Sequence, residues 1–175
     1  ANSYVKLATI DFEQVAQFWH SKDAAIALLR NQTLNLKTGQ ENSVYYMEAR
    51  VNVSKLPQTQ DAFFGISVNW LQDGSSIGNL LIVAFDGNKA VMVNEKKLAG
   101  YVTDTWYRVR AEFQLQNASS LRYQVTLLDD EYTQLAQSGW ITISEFAGAD
   151  SMAFPTVELT CLDTVEQESE AFLDY

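Results

Sequence analysis

Two stretches of the sequence carry charged and aromatic residues at every second position. Alternate residues of a β-strand point to one face, so these residues would share a surface while their apolar neighbours face the core. An aromatic ring stacks on the C–H groups of a sugar, while arginine and glutamate bind hydroxyl groups. The candidate ligand-binding residues are Tyr46, Glu48 and Arg50 in the first stretch and Trp106, Arg108, Arg110 and Glu112 in the second.

The same residues also allow a purely structural explanation. If the two strands are neighbours in one sheet, their arginines and glutamates form cross-strand pairs. Exposed ion pairs of this kind contribute at most about 1 kcal/mol each to stability. The sequence leaves both interpretations open: a ligand-binding surface, or a solvated ladder of ion pairs.

The charge balance argues against two classes of partner. The chain has 175 residues and a formal net charge of −10. Nucleic acid and anionic membranes are bound by basic surfaces, so neither is expected as a partner, and a strongly acidic polysaccharide is also disfavoured. No apolar run is long enough to span a bilayer, so we expect no membrane insertion. The chain has one histidine, His20, and one cysteine, Cys161, which argues against a transition-metal cluster.

The hydrophobic pattern has a period of two through most of the chain, which predicts β-strands. Asp86-Gly87, ahead of the alternating run 90–93, predicts a hairpin. A short helical turn is expected only near residues 13–19, where Val15, Phe18 and Trp19 have helical spacing. Turn signals recur between the strands and no linker interrupts them. We therefore expect a single all-β domain over residues 1–175, either a sandwich or a barrel.

Several segments together resemble the concanavalin A-like (laminin G-like) jelly-roll superfamily. They are "TIDFE" (9–13), "YYMEARVNV" (45–53), "DTWYRVRAEFQL" (104–115) with the following "LRYQVTLLDDE" (121–131), and "EAFLDY" (170–175). The resemblance implies an antiparallel two-sheet jelly-roll β-sandwich whose closing strand lies beside the opening one. Members of the superfamily include lectins, carbohydrate-binding modules, glycoside hydrolases and polysaccharide lyases.

The catalytic patterns of these relatives are matched poorly. Retaining glucanases of the superfamily place carboxylates at alternate positions of one strand, which holds two of them about 5–5.5 Å apart. The nearest spacing here, Glu166-x-Glu168-x-Glu170, lacks the middle aspartate and lies near the end of the chain. His20 lacks the Gln-x-His pattern of the alginate lyases. We therefore predict no catalytic residue from the sequence.

A structural calcium ion is a further implication of the resemblance. Related jelly rolls often hold Ca²⁺ between the first and last strands through carboxylate and carbonyl oxygens. The residues that the resemblance supplies for this site are Asp11, Glu13 and Asp174.

The function expected from the sequence is a non-catalytic carbohydrate-binding or adhesion module, with an oligo- or polysaccharide as its partner. We expect it to be bacterial and extracytoplasmic: secreted, periplasmic or on the cell surface. One alternative is a polysaccharide-degrading enzyme of the same fold, either a glycoside hydrolase or a lyase. Another is a structural domain whose sheets mediate protein contacts.

Overall fold

The computed structural model describes residues 4–10, 13–20, 27–35, 44–59, 61–117, 120–143, 149–161 and 168–174. Within these residues the chain forms fourteen β-strands and no helix. The strands are β1 (Tyr4–Ile10), β2 (Glu13–His20), β3 (Ala27–Asn35), β4 (Val44–Lys55), β5 (Ala62–Gln72), β6 (Ser75–Asp86), β7 (Ala90–Val93), β8 (Lys96–Gly100), β9 (Trp106–Asn117), β10 (Ser120–Asp129), β11 (Gln134–Gln137), β12 (Ile141–Ile143), β13 (Ser151–Cys161) and β14 (Ser169–Asp174).

The strands form two antiparallel sheets, as the alternating pattern predicts. The eight-stranded sheet has the order β1-β2-β14-β4-β9-β10-β11, with β12 pairing with β10 beside β11. The six-stranded sheet has the order β3-β13-β5-β6-β7-β8. The closing strand β14 pairs with β2 on one side and with β4 on the other, so the two ends of the described chain share one sheet.

The core lies between the sheets and is built from the inward residue of each alternating pair. In β4, Met47, Ala49 and Val51 are buried, while Glu48 and Arg50 between them are half-buried on the opposite face. Aromatic rings join the layers: Phe18 of β2 meets Phe64 of β5 edge-on at a centroid distance of 5.1 Å. Burying one face of each strand stabilises the sandwich and turns the polar face of the eight-stranded sheet outward.

The expected helical turn near residues 13–19 is wrong, because this segment is strand β2. Phe18 is fully buried and Ala16 also packs against the core, which is an alternation with a period of two. The strand pairs with β1 on one side and with β14 on the other. Two rows of backbone hydrogen bonds outweigh the weak helical spacing of three apolar residues, as tertiary context often does.

Two tight turns shape the β6–β7–β8 edge of the six-stranded sheet. The predicted hairpin after β6 is confirmed: Asp86 Oδ1 accepts a hydrogen bond from the N–H of Ala90 at 2.8 Å. Between β7 and β8, Asn94 and Glu95 form a two-residue turn with φ of 48° and 60°. Positive φ at both central positions is the pattern of a type I′ hairpin turn.

Candidate functional site

The predicted ligand-binding residues come together because β4 and β9 are neighbours. Their register places Tyr46 opposite Glu112, Glu48 opposite Arg110, and Arg50 opposite Arg108. All of these side chains point away from the core. We call the outward side of β14, β4, β9 and β10, together with the turn after β10, the charged face. Its ionic members are Glu48, Arg50, Arg108, Arg110, Glu112, Arg122, Asp130, Glu170 and Asp174.

Glu48 lies at the centre of the charged face, between two arginines of β9. Arg110 donates from Nε and Nη2 to Glu48 Oε2, at 3.0 and 2.8 Å. Arg108 Nη1 lies 3.5 Å from Glu48 Oε1. The arginines and glutamates therefore do form the cross-strand pairs of the structural explanation, and both arginines hold the carboxylate in a fixed position.

Asp130 is a second ionic centre, and sequence reasoning missed it. Arg50 donates to its two carboxylate oxygens from Nε and Nη2, each at 2.6 Å. Arg108 contributes a longer contact, 3.5 Å from Nη2 to Oδ1, and donates from Nε to the Asp130 carbonyl at 3.3 Å. The hydrogen bonds from Arg50 hold the pKa of the Asp130 carboxyl below its usual range, with the charges of Arg50 and Arg108 acting in the same direction.

The turn after β10 directs Asp130 towards the arginines. Asp129 Oδ1 accepts hydrogen bonds from the N–H groups of Glu131 and Thr133, at 3.0 and 2.8 Å, so its side chain holds the turn closed. Asp130 is thereby left to reach β4 and β9. In the sequence, the only signal for this centre is the acidic pair Asp129-Asp130 at the end of β10. The pairing of β10 with β9, which places the arginines within reach, is known only from the sheet order.

Aromatic rings border the charged face. The guanidinium of Arg50 lies over the ring of Trp106, 4.6 Å from its centroid, and that of Arg108 lies over Tyr132 at 4.0 Å. Tyr46 is 65% exposed and Tyr132 is 53% exposed, the highest values among the large apolar side chains at this face. Cations over aromatic rings hold both partners in place, which leaves the face ordered before any ligand arrives.

Polar contacts also occur on the charged face on both sides of Glu48 and Asp130. Towards β10, Gln124 donates to Glu112 at 2.8 Å, and Arg122 donates to Gln114 at 2.6 Å. Towards β14, Glu170 accepts hydrogen bonds from Ser54, at 2.7 Å, and from Gln17 of β2. Polar side-chain contacts are therefore distributed over five strands of this outward face.

Asn52 is on the outward face of β4. It lies opposite Trp106 of β9 and Phe172 of β14, and it is 8% exposed. Its side-chain oxygen has no hydrogen-bond partner among the described residues. A buried acceptor without a partner costs roughly 1–3 kcal/mol.

The residues expected to hold calcium are placed only in part. Asp11 lies outside the described residues, and Glu13 is the first residue of β2. Asp174 points to the charged face, where its Oδ2 lies 3.8 Å from Nη1 of Arg50. That guanidinium would repel a cation at Asp174. No group of three potential metal-ligating side chains occurs within the ranges that the structure describes. Calcium binding through Asp11, Glu13 and Asp174 stays a prediction.

The two antiparallel sheets form a jelly-roll β-sandwich with the concanavalin A-like fold, as the sequence resemblance predicts. No sequence family matches the chain, and no curated protein matches it either. Solved structures do match, at sequence identities that show a shared fold alone. In the described part of the chain, no helix is long and apolar enough to cross a membrane.

Three of these structures represent the kinds of protein that share the fold. An endo-β-1,4-glucuronan lyase from Trichoderma reesei has a TM-score of 0.62 at 6% identity, and the alignment covers 99% of this chain and 85% of the lyase. A GH131 β-glucanase catalytic domain from Podospora anserina has a TM-score of 0.55 at 14% identity, over 98% and 77%. Arcelin-5, a lectin-like defence protein from Phaseolus vulgaris, has a TM-score of 0.55 at 10% identity, over 98% and 88%.

Proposed function

We propose that this protein is a polysaccharide-degrading enzyme whose substrate lies across the charged face. The observation that carries the proposal is that Arg110 and Tyr46 lie near each other on that face, at diagonal positions of two paired strands. Arg110 lies opposite Glu48, two residues along β4 from Tyr46, and both side chains reach solvent. The solved structures of the same fold support degradation over recognition alone, since they include a glucuronan lyase and a β-glucanase.

Arg110 is suited to binding a sugar hydroxyl or carboxylate. Its Nε and Nη2 both donate to Glu48 Oε2, and no hydrogen bond joins its Nη1 to a described residue. Glu48 fixes the plane of the guanidinium, so a ligand meets a donor that is already oriented. A charged donor held in this way also stabilises negative charge that develops on a substrate during cleavage.

Tyr46 is suited to two roles that can be separated by experiment. Its ring is exposed enough to stack on the C–H face of a sugar. Its hydroxyl can also transfer a proton, which both hydrolysis and β-elimination require. The first role serves binding, and the second is needed only for catalysis.

Recognition without cleavage is the second candidate function, and a specific observation favours it. Glu48 and Asp130 both accept hydrogen bonds from arginines, and the hydrogen bonds from Arg50 lower the pKa of Asp130. A general acid in glycoside hydrolysis needs the opposite, a carboxyl that keeps its proton near neutral pH. If the protein cleaves glycosidic bonds, the proton donor is therefore a group other than Asp130.

The proposed substrate class also suggests a location. Structural polysaccharides lie outside the cytoplasm, so we propose that the protein acts there, as a secreted, periplasmic or cell-surface component. The charge-balanced face suits neutral polysaccharides and those with scattered carboxylates, because its arginines are matched by nearby carboxylates.

The test is to incubate the protein with glucuronan, alginate and β-glucans and to follow two signals. Lyase activity produces an unsaturated sugar that absorbs ultraviolet light, whereas hydrolysis releases reducing ends without that absorbance. We expect one of the two signals with wild type and a loss of at least about a hundredfold in rate with Tyr46→Phe, as for other proton-transfer groups. Lys55→Gln, an exposed residue with one ion pair at 3.4 Å to Glu168, is the matched control.

The outcomes separate the two candidate functions. If Tyr46→Phe binds polysaccharide as well as wild type and neither protein produces a signal, the protein recognises the polymer without cleaving it. If Arg110→Gln leaves both binding and activity unchanged, the charged face is not the site and the proposal is wrong. Tyr46→Ala measures the contribution of the ring itself, which Tyr46→Phe preserves.

A further inference from the structure

An open groove lies at the side of the sandwich, where the edges of the two sheets approach each other. Its volume is about 480 Å³, within the usual range for small-molecule sites. One wall is the β7–β8 hairpin of the six-stranded sheet, and the other is the segment from the end of β11 to the start of β12. The side chains that matter for its chemistry are Lys96, Lys97, Leu98, Gln137, Trp140 and Ile141.

The walls are held in place by backbone structure. The type I′ turn at Asn94 and Glu95 begins β8 at Lys96, and a register shift between β7 and β8 makes a bulge near Leu98. On the other wall, Ser138 exchanges two hydrogen bonds with Val125 of β10. The Ser138 N–H donates to the Val125 carbonyl at 2.9 Å, and its Oγ accepts from the Val125 N–H at 3.0 Å.

Trp140 is the aromatic surface of the groove and is 42% exposed. Arg122, at the margin of the charged face, lies over its ring at 4.5 Å from the centroid. One face of the indole is therefore covered by a cation, which fixes the ring and adds positive charge beside it. An exposed, fixed indole next to amide groups is the kind of platform on which sugars stack.

The charge of the groove is opposite to that of the whole protein. Lys96 and Lys97 line it, Arg122 adjoins it, and no carboxylate lines it among the residues that the structure describes. Glu95 precedes Lys96 in the β7–β8 turn, but it does not line the groove. The chain as a whole carries −10, so this is a local concentration of positive charge, and it favours an anionic ligand.

We infer that this groove binds an acidic oligosaccharide, with one sugar ring on Trp140 and a uronate carboxylate at Lys96 and Lys97. The amide of Gln137, whose Nε2 donates to Thr126 at 3.2 Å, presents its carbonyl oxygen to a sugar hydroxyl. A uronate carboxylate forms ion pairs with the two exposed lysines that a neutral sugar cannot form, so the groove favours negative charge. The groove adjoins the charged face at Arg122 but is lined by other residues, and the inference does not depend on the function proposed for that face.

The experiment is calorimetric titration with short oligoglucuronates, and with gluco-oligosaccharides of the same length as neutral controls. It is done in a Tyr46→Ala, Arg110→Gln background, which removes the exposed ring and the oriented donor of the charged face, so that binding there contributes little. We expect oligoglucuronate to bind. The double variant Lys96→Gln/Lys97→Gln and the single variant Trp140→Ala are each expected to weaken this binding about tenfold or more. Lys89→Gln, at the opposite end of β7, is the matched control and is expected to change affinity by less than about twofold.

Three outcomes would overturn the inference. One is equal affinity for the neutral sugars, which would remove the role of the lysines. Another is displacement of the sugar by inorganic sulfate at the same ionic strength, which would indicate a simple anion site. The third is unchanged affinity in the double lysine variant, whose folding is checked by thermal unfolding. A Trp140→Leu variant, which keeps an apolar side chain, replaces Trp140→Ala if the latter unfolds early.

Discussion

The charged face and the β6–β7 turn are held together in different ways. At the charged face, side chains contact side chains, and Glu48, Asp130 and their arginines are all partly exposed. At the β6–β7 turn, backbone contacts backbone. The N–H of Gly87 donates to the carbonyls of Ala62, at 2.8 Å, and Thr59, at 3.1 Å, and Gly87 is buried.

This difference determines where substitutions are tolerated. Surface ion pairs exchange water contacts for protein contacts and contribute little, so the charged face can vary without unfolding the protein. A packed backbone has no such freedom, because no rotamer change relieves a clash with a carbonyl oxygen. The face is therefore available for binding, while the turn stabilises the sandwich.

Gly87→Ala tests the turn and is expected to have the largest effect. A Cβ at this position would lie 1.6 Å from the carbonyl oxygen of Pro57 and 2.5 Å from that of Thr59, so the 56–59 segment would have to move. We expect a loss of about 3 kcal/mol or more in unfolding free energy, or failure to fold. Urea unfolding followed by circular dichroism measures it.

Gly100→Ala is the control for this prediction. A Cβ there would lie 3.7 Å from the Lys89 carbonyl, an ordinary contact, so alanine is expected to be neutral or slightly stabilising. If Gly87→Ala is as stable as Gly100→Ala, the turn does not have the close backbone packing described here.

The elements of the fold could be predicted from the sequence more readily than the contacts between them. The alternation in β4 and β9 gave the strands and the outward residues, since side-chain direction has a period of two. Their pairing stayed conditional, because strand order depends on tertiary packing. Asp130 was missed for the same reason: it belongs to a turn after β10, and its partner Arg50 is 80 residues away.

The groove could not be found from the sequence at all. Its walls, residues 93–98 and 137–141, come from different sheets, and neither carries a motif. A short local pattern does not show that Lys97 and Trp140 share a cavity, because this depends on how the edges of the two sheets meet.

Replacing two buried tyrosines by phenylalanine tests how much a buried hydroxyl group contributes to the free energy of unfolding. The expected effect is smaller than that of Gly87→Ala. The Tyr101 hydroxyl donates to the Asp86 carbonyl at 2.7 Å, whereas the Tyr123 hydroxyl has no partner among the described residues. We expect Tyr101→Phe to lose about 1 kcal/mol and Tyr123→Phe to be neutral or to gain about 1 kcal/mol. The phenyl rings keep their contacts with Phe85 and Phe113.

Chemical unfolding of both variants measures this difference. A loss of about 1 kcal/mol in Tyr101→Phe would show that one buried hydrogen bond next to the β6–β7 turn contributes about as much as an exposed ion pair, so the greater sensitivity of the turn comes from its backbone packing. A loss of more than about 1 kcal/mol in Tyr123→Phe would contradict the prediction, because it would mean that the hydroxyl is hydrogen-bonded.

Asp130→Asn tests the charged face itself and is expected to have the smallest effect on stability. The pKa of Asp130 is lowered in the folded protein by its hydrogen bonds with Arg50, so the folded state favours the carboxylate. The stabilisation is present above the unfolded pKa, near 3.8, and is lost as the pH falls through the folded pKa. Because Asp130 is 38% exposed, the loss near pH 7 is expected to be at most about 1 kcal/mol.

The measurement is urea unfolding of wild type and Asp130→Asn at about pH 7 and at strongly acidic pH, with Glu131→Gln as the charge-matched neighbour. The gap between wild type and Asp130→Asn should close in acid, whereas Glu131→Gln should stay close to wild type throughout. A gap that persists in acid would mean that Asp130 acts through packing and not through its charge. The charged face would then resemble the β6–β7 turn, and ligand binding could not be varied there without a loss of stability.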